Sequence, residues 1–302
     1  MSFLSRDIYC RVLAGLVMLL ICTQLTAQSS SNRVVIVKSS DNAYYNQTIE
    51  TLQKHAGSPI EFDVLLADEL NSSTSATLFI ALGQTAVERV AVIAQDRPVI
   101  NAYLTLEQYQ QLGHERHPTV LLDQPISRYL AFSKFALQVD SIGIMTENRI
   151  TLDREELDLL ENLLLTTHQY EVNLESKLLP TLRDLLEQDD ALLMLPRQSL
   201  YNHDSLKGVL MTSYRSRKPV VSYSPAHVRS GALASIYSSP VDIGRHLSIL
   251  MNHKLQEGSI KGPDMQFARY YSIALNFSVA SALGLALPSE KQLRKQLDGL
   301  GR

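Results

Sequence analysis

The sequence predicts an α/β protein of two lobes, each built on its own parallel sheet. Three observations carry this reading. Short β-branched or apolar runs alternate with segments of helical periodicity from residue 33 onward. The alternation breaks off and restarts near residue 140. The chain, with 302 residues of which 45% are hydrophobic, is longer than the roughly 100–200 residues of one domain. Repeated β-α-β units imply right-handed crossovers around a parallel sheet.

The elements follow in order. Residues 33–38 (Arg-Val-Val-Ile-Val-Lys) form a β-branched run, the mark of a buried parallel strand. Ser39, Ser40, Asp41 and Asn42 follow as a cluster of N-cap residue types, and Tyr45, Ile49 and Leu52 recur at helical spacing. Residues 60–66, 77–82 and 97–102 read as the next three strands. Between the last two, Gly83-Gln84 turns the chain into a helix, with Thr85 and Glu88 spaced as a capping box and Val87, Val90 and Ile93 on one face. Residues 127–139 form a helix, and residues 140–145 open a second sheet. Asp153 and Glu156 cap a helix bearing Leu157, Leu160 and Leu164. A strand at 170–174, a helix at 176–187 and strands at 191–196 and 219–222 complete the alternation. Ser239-Pro240-Val241-Asp242 opens a further helix, with proline at the first helical position.

Composition removes several function classes. Thirteen glycines and eleven prolines are too few for a disordered or collagen-like chain. Lys+Arg 28 against Asp+Glu 31, with no basic run, argues against nucleic acid as the main partner. The two cysteines are Cys10 and Cys22, so nothing beyond residue 22 supplies a thiol nucleophile, a disulfide or a thiolate ligand. Arg6 and Arg11 precede an apolar run over residues 12–21 that is short for a membrane span, which needs about 20 residues. A positive segment, a short apolar run and a small residue at Ala27 describe a secretory signal peptide over residues 1–27. Lipid attachment at Cys22 and an uncleaved anchor are the alternatives. Cleavage after Ala27 leaves about 275 residues with no cysteine and a net charge of about −4.

The segment Lys218-Pro-Val-Val-Ser-Tyr-Ser-Pro-Ala-His-Val-Arg-Ser-Gly-Ala-Leu-Ala-Ser235, with Ile243-Gly244-Arg245, Asn276 and Ala282-Leu-Gly-Leu-Ala-Leu-Pro288, resembles ABC-transporter substrate-binding proteins of the tryptophan- and phenylalanine-binding type. The order and spacing hold over roughly 85 residues. Ala81-Leu-Gly83, Ala86 and Ile142-Gly143-Ile144 extend the likeness more loosely into the N-terminal half. The resemblance implies a type I periplasmic-binding-protein fold: two Rossmann-like lobes, a multi-stranded hinge and a ligand cleft. It places residues 33–138 and 239–262 in lobe one, and 139–238 and 265–302 in lobe two.

Ligands of open α/β sheets sit beyond the carboxyl ends of the strands, where helix N-termini offer free N–H groups suited to anions. The candidates on lobe one are Ser39, Ser40, Asp41, Gly83, Gln84, Thr85, Asn101 and Tyr103. Tyr44 can stack on a ligand, whereas Tyr45 suits the core. On lobe two they are Thr146, Glu147, Asn148, Arg197, Gln198, Ser222 and Tyr223, with Tyr237 and Ser238 at a hinge crossing. Plain helix capping is the competing role of every Ser, Thr and Asp among them. Where the family carries Pro-Thr-Asp-Asn, this chain reads Pro196-Arg197-Gln198-Ser199, and the usual Gly-Thr pair is Gly83-Gln84. Loss of that carboxylate beside a new cation implies an anionic or neutral polar ligand in place of an amino acid.

Enzyme signatures are weak. The eight histidines contain no His-Glu-x-x-His, and there is no Gly-x-Ser-x-Gly elbow or phosphate loop. His114 and His117 lie in a loop between Gly113 and Pro118, and Glu155-Glu156 and Asp189-Asp190 read as helix-end charges. The sequence therefore predicts an exported, periplasmic, non-enzymatic, monomeric solute-binding protein without cofactor or metal. It closes on a small ligand and presents it to an inner-membrane ABC permease. A ligand-sensing module that signals to a membrane sensor is the alternative, and a periplasmic hydrolase is the third reading.

Overall fold

Val34, Val35, Ile36 and Val37 are fully buried, so both faces of the first strand are covered, as the β-branched run requires. The computed structural model describes residues 32–57, 59–112, 117–173, 177–260 and 263–300. The leader expected over residues 1–27, both cysteines and His114 lie outside them. The chain runs β1 (Asn32–Lys38), α1 (Ala43–Lys54), β2 (Ile60–Leu66), β3 (Leu78–Leu82), α2 (Gln84–Ala94), β4 (Val99–Leu104), α3 (Leu106–Gln111) and β5 (Thr119–Leu121). It crosses to a second sheet with α4 (Ile126–Leu137), β6 (Ser141–Thr146), α5 (Arg154–Leu163), β7 (Thr166–Glu171), α6 (Leu178–Gln188), β8 (Ala191–Leu193), α7 (His203–Arg215), β9 (Val220–Ser222), α8 (Pro225–Arg229) and β10 (Ala234–Tyr237). It returns through α9 (Pro240–Glu257) and β11 (Met265–Phe267), then ends as β12 (Ser272–Leu275), α10 (Phe277–Leu283) and α11 (Glu290–Leu300).

Two six-stranded sheets result, ordered β11-β5-β4-β3-β1-β2 and β12-β10-β9-β8-β6-β7. All pairings are parallel except β10 with β12. The strand order reverses between β1 and β3 in one lobe and between β6 and β8 in the other, the switch points at which such sheets open a crevice. Each sheet has helices on both faces. In lobe one, Ile36, Ile80 and Ile100 pack with Ile49 of α1 and Ile243 and Leu247 of α9, while Val35 and Phe79 meet Val87 and Val90 of α2. In lobe two, Ile142 and Leu193 pack with Tyr129 and Phe132 of α4 and Leu293 of α11, and Met145 and Leu192 meet Leu185 of α6 and Val209 of α7.

Several local expectations shift. The box expected at Thr85 and Glu88 does not form: α2 begins at Gln84 behind Gly83, and the Ala86 N–H donates to Ser39 Oγ at 2.9 Å instead. The boxes at Asp153/Glu156 and Ser239/Asp242 do form. The strand expected at 170–174 lies at Thr166–Glu171, where Thr166 comes into register with Ser141 of β6. Helix α4 packs in the second core rather than the first, because Tyr129, Leu130 and Phe132 face Ile142 and Leu193. Strand β11 pairs with β5 in the first sheet rather than the second.

Three segments cross between the lobes, after β5, after β10 and between β11 and β12. One side chain from each of the first two and a carbonyl from the third join them. Gln124 Nε2 donates to Ser238 Oγ at 2.6 Å, and Ser238 Oγ donates to the Tyr270 carbonyl at 3.2 Å. Arg128 adds hydrogen bonds to Gln124 Oε1 and the Ala268 carbonyl. Among the described residues, no helix is long and apolar enough to cross a membrane.

Candidate ligand-binding cleft

A cavity of about 600 Å³ opens between the lobes at the carboxyl ends of both sheets, within the roughly 300–1,000 Å³ typical of small-molecule sites. Lobe one lines it with Gln84, Thr105, Glu107, Gln108 and Gln111. Lobe two contributes Glu147, Pro196, Gln198, Ser199, Tyr201, Asn202, His203 and Tyr223. Each group has a local cause. Thr105 caps α3 by accepting from Gln108 N–H, and Gln108 reaches back to Thr105 N–H, which fixes the helix end at the rim. Gln108 Nε2 donates to Gln84 Oε1, and Gln84 Nε2 donates to Glu88 Oε1, each at 2.9 Å. Across the gap, Asn202 caps α7 by accepting from Asp204 and Ser205 N–H.

Four of the residues anticipated from sequence line this cavity: Gln84, Glu147, Gln198 and Tyr223. Others of that set build the walls behind it. Ser39 caps α2, and Ser40 accepts from Asn42 Nδ2. Asp41 is engaged by Lys38 Nζ at 2.6 Å and by Asn46. Tyr44 is exposed outside the cavity lining, as is Thr85. Gly83 carries no side chain to the cleft, and its φ of 88° sets the turn into α2. Asn101 is buried within β4, its Oδ1 without a partner. Tyr103 has a φ of 64° at a break in the β4–β5 register. Its ring is thereby turned onto α1, where its hydroxyl meets Thr48 Oγ1 at 2.5 Å and its edge meets Tyr45.

On lobe two, Thr146 is buried and donates to the Asn148 carbonyl, so both serve the turn after β6. Arg197 is half-buried beside the cavity and donates to the Pro196 carbonyl. Ser222 is buried and hydrogen-bonds His227 Nδ1 at 2.6 Å, with Tyr223 edge-on to that imidazole at 4.8 Å. Tyr237 ends β10 against Ser272, and Ser238 belongs to the hinge rather than the cleft.

The electrostatics differ from the sequence expectation. Besides the phenols of Tyr201 and Tyr223, the ionisable lining groups are Glu107, Glu147 and His203; Lys and Arg are missing from the described lining. Helix N-termini beside the cleft have N–H donors already engaged: Ala86 by Ser39, Gln108 by Thr105, Ser205 by Asn202 and Ala226 by Ser224. An anion therefore finds fewer free donors than a bare helix terminus offers. Behind the rim, Asp123 is 5% exposed and accepts from Leu106 N–H at 2.8 Å. Burial pushes its carboxyl up to about 6, against the opposing pull of that N–H and of Arg197. Burial and the charge of Asp123 push Tyr223 up to about 12. Burial also raises Tyr201, and lowers His227. Among the described residues, no group of three His, Cys, Asp or Glu side chains is placed to hold a metal.

Sequence reasoning missed Thr105, Glu107, Gln108 and Gln111, although Thr105-x-x-Gln108 is a capping-box pattern. It also missed Tyr201, Asn202, His203 and Asp123. Asn202 and Asp204 carry a visible capping signal, but nothing in the sequence marks Tyr201 as facing a cleft.

Two doubly wound lobes, three crossings and a cleft between them define a type I periplasmic-binding-protein fold, the architecture of ABC-type substrate-binding proteins. A substrate-binding protein with adhesive properties from Clostridium difficile, solved ligand-free and open, matches with a TM-score of 0.64 and 16% identity, covering 86% of this chain and 97% of its own. An ABC domain from Streptococcus pneumonia in complex with L-Trp matches at 0.55 and 16% identity, covering 87% and 98%. A periplasmic ribose ABC transporter protein from Conexibacter woesei matches at 0.53 and 13% identity, covering 85% and 95%. No protein-family profile matches the chain, and no curated protein matches it in sequence.

Proposed function

We propose that the chain is an exported solute-binding protein that closes its lobes on a small polar ligand and delivers it to an inner-membrane ABC permease. The observation that carries this is the cavity of about 600 Å³ lined by polar side chains from both lobes. A ligand touching both walls gains contacts in the closed state that the open state lacks, which is the condition for a ligand to shift a conformational equilibrium. Of the anionic or neutral polar ligand expected from Arg197 and Gln198, the carboxylates on the lining favour the neutral form, and they also suit a positively charged solute.

A non-enzymatic role fits the same site. Ser222 and His227 form a hydrogen-bonded Ser–His pair, but Ser222 is 0% exposed within β9 and outside the cavity lining. The expected leader supports export, and the partner follows from the fold's use in transport. A neighbouring permease and ATPase gene pair is the expected context; a sensor-kinase gene in its place would favour the signalling role.

The test is a thermal-shift and calorimetric screen of amines, amino acids, organic acids, nucleosides and sugars. A ligand at one hundred times its Kd adds about 2.7 kcal/mol, which raises Tm by roughly 5 °C or more for a chain of this size. A screen without any shift contradicts the reading.

A further inference from the structure

We propose that the cleft selects an organic cation carrying an oxygen acceptor, an amino alcohol in chemical class, with Glu107 and Glu147 on opposite lobes sharing its charge. This rests on the solute-binding reading and names the substrate class for the same cleft. Glu107 enters from α3 and Glu147 from the turn after β6, so lobe closure moves one carboxylate towards the other. With the cleft empty, like charges oppose that movement. A cation between them reverses the sign, so the ligand binds the closed form better than the open one.

Two independent observations point to such an occupant. Tyr201 lines the cavity, is 3% exposed, and its hydroxyl has no hydrogen-bond partner in the protein. A buried hydroxyl is costly to leave unpaired, and an oxygen on the ligand supplies the missing acceptor. Tyr223, half-buried in the same wall, adds an aromatic ring, a group that attracts organic cations. The second observation is that Ala86, Gln108 and Ser205 N–H at the cleft-side helix N-termini are already engaged, which leaves an anionic ligand fewer donors than bare helix ends would. Arg197 acts on Tyr201 and on Asp123, and the Asp123 carboxylate beside it offsets its charge.

Calorimetry with choline and ethanolamine, alongside succinate, ribose and glycine, tests this. Choline or ethanolamine binds, and Glu107→Gln and Glu147→Gln each weaken that binding at least tenfold. Tyr201→Phe weakens it without lowering the melting temperature of the empty protein, because it removes an unpaired hydroxyl. The double variant E107Q/E147Q, empty, scatters X-rays with a smaller radius of gyration than the parent. Binding of succinate, ribose or glycine in preference to both amines leaves solute binding standing and overturns the cation assignment. Amine affinity untouched by either glutamine variant overturns it too, as does an unchanged radius of gyration in the double variant.

Discussion

Gly83 shows how closely the first switch point is built. A Cβ there would lie 2.2 Å from Tyr45 Oη and 2.7 Å from Ser39 Oγ, and φ is 88°. Gly83→Ala combines left-handed strain with overpacking, and a loss of roughly 2–4 kcal/mol in denaturant titration is expected. Ser39→Ala removes the cap on Ala86 N–H and costs about 1 kcal/mol by the same measurement. Asp123 gives a pH signature. Its folded carboxyl holds a proton up to about pH 6, whereas the unfolded group releases it near 3.8. The folded state thus binds more protons between those values, and stability falls as pH rises from about 4 to 6, then levels. The fall is of order 3 kcal/mol at most. Asp123→Asn keeps an acceptor for Leu106 N–H and flattens the profile; a slope unchanged in that variant would assign it to another group.

Among the elements, α9 and α1 pack so closely that Gly244 has no room for a side chain. A Cβ would sit 2.7 Å from the Thr48 carbonyl oxygen and 2.8 Å from Thr51 Cβ. Gly244→Ala forces the two helices apart and costs roughly 1–3 kcal/mol, measured as a shift in denaturation midpoint. The glycine of the Ile243-Gly244-Arg245 motif thus has a packing role in this chain. Elements with strong patterns were legible in sequence: β1, β3 and β4 from apolar runs, and α5 and α9 from their caps. The short strands were not. β11 has three residues, all half-buried, and β12 has four, so neither carries a period long enough to read. The site divides in the same way. Gln84, Glu147 and Gln198 are visible because they follow apolar strands directly, whereas Glu107 and Tyr201 reach the cleft only through α3 and the turn before α7. At Tyr103 a break in the β4–β5 register sets the ring against α1, outside the cavity lining, and periodicity does not encode such a break.

At the scale of the whole molecule, the lobes are coupled by the three crossings, and the Gln124–Ser238–Tyr270 chain joins them. Ser238→Ala removes both links, costing about 1–2 kcal/mol, and alters the balance of open and closed forms. The chain beyond residue 22 has no cysteine, which makes that balance directly measurable. With Cys10 and Cys22 replaced by serine, Val92→Cys on lobe one and Lys207→Cys on lobe two provide exposed positions for paired probes. The measurement is the distance between those probes across the solute screen. The distance shortens and saturates with a solute that also raises Tm, and Glu147→Gln shifts that saturation to higher concentration. A distance that stays constant while a solute binds would contradict closure on a ligand held between the lobes.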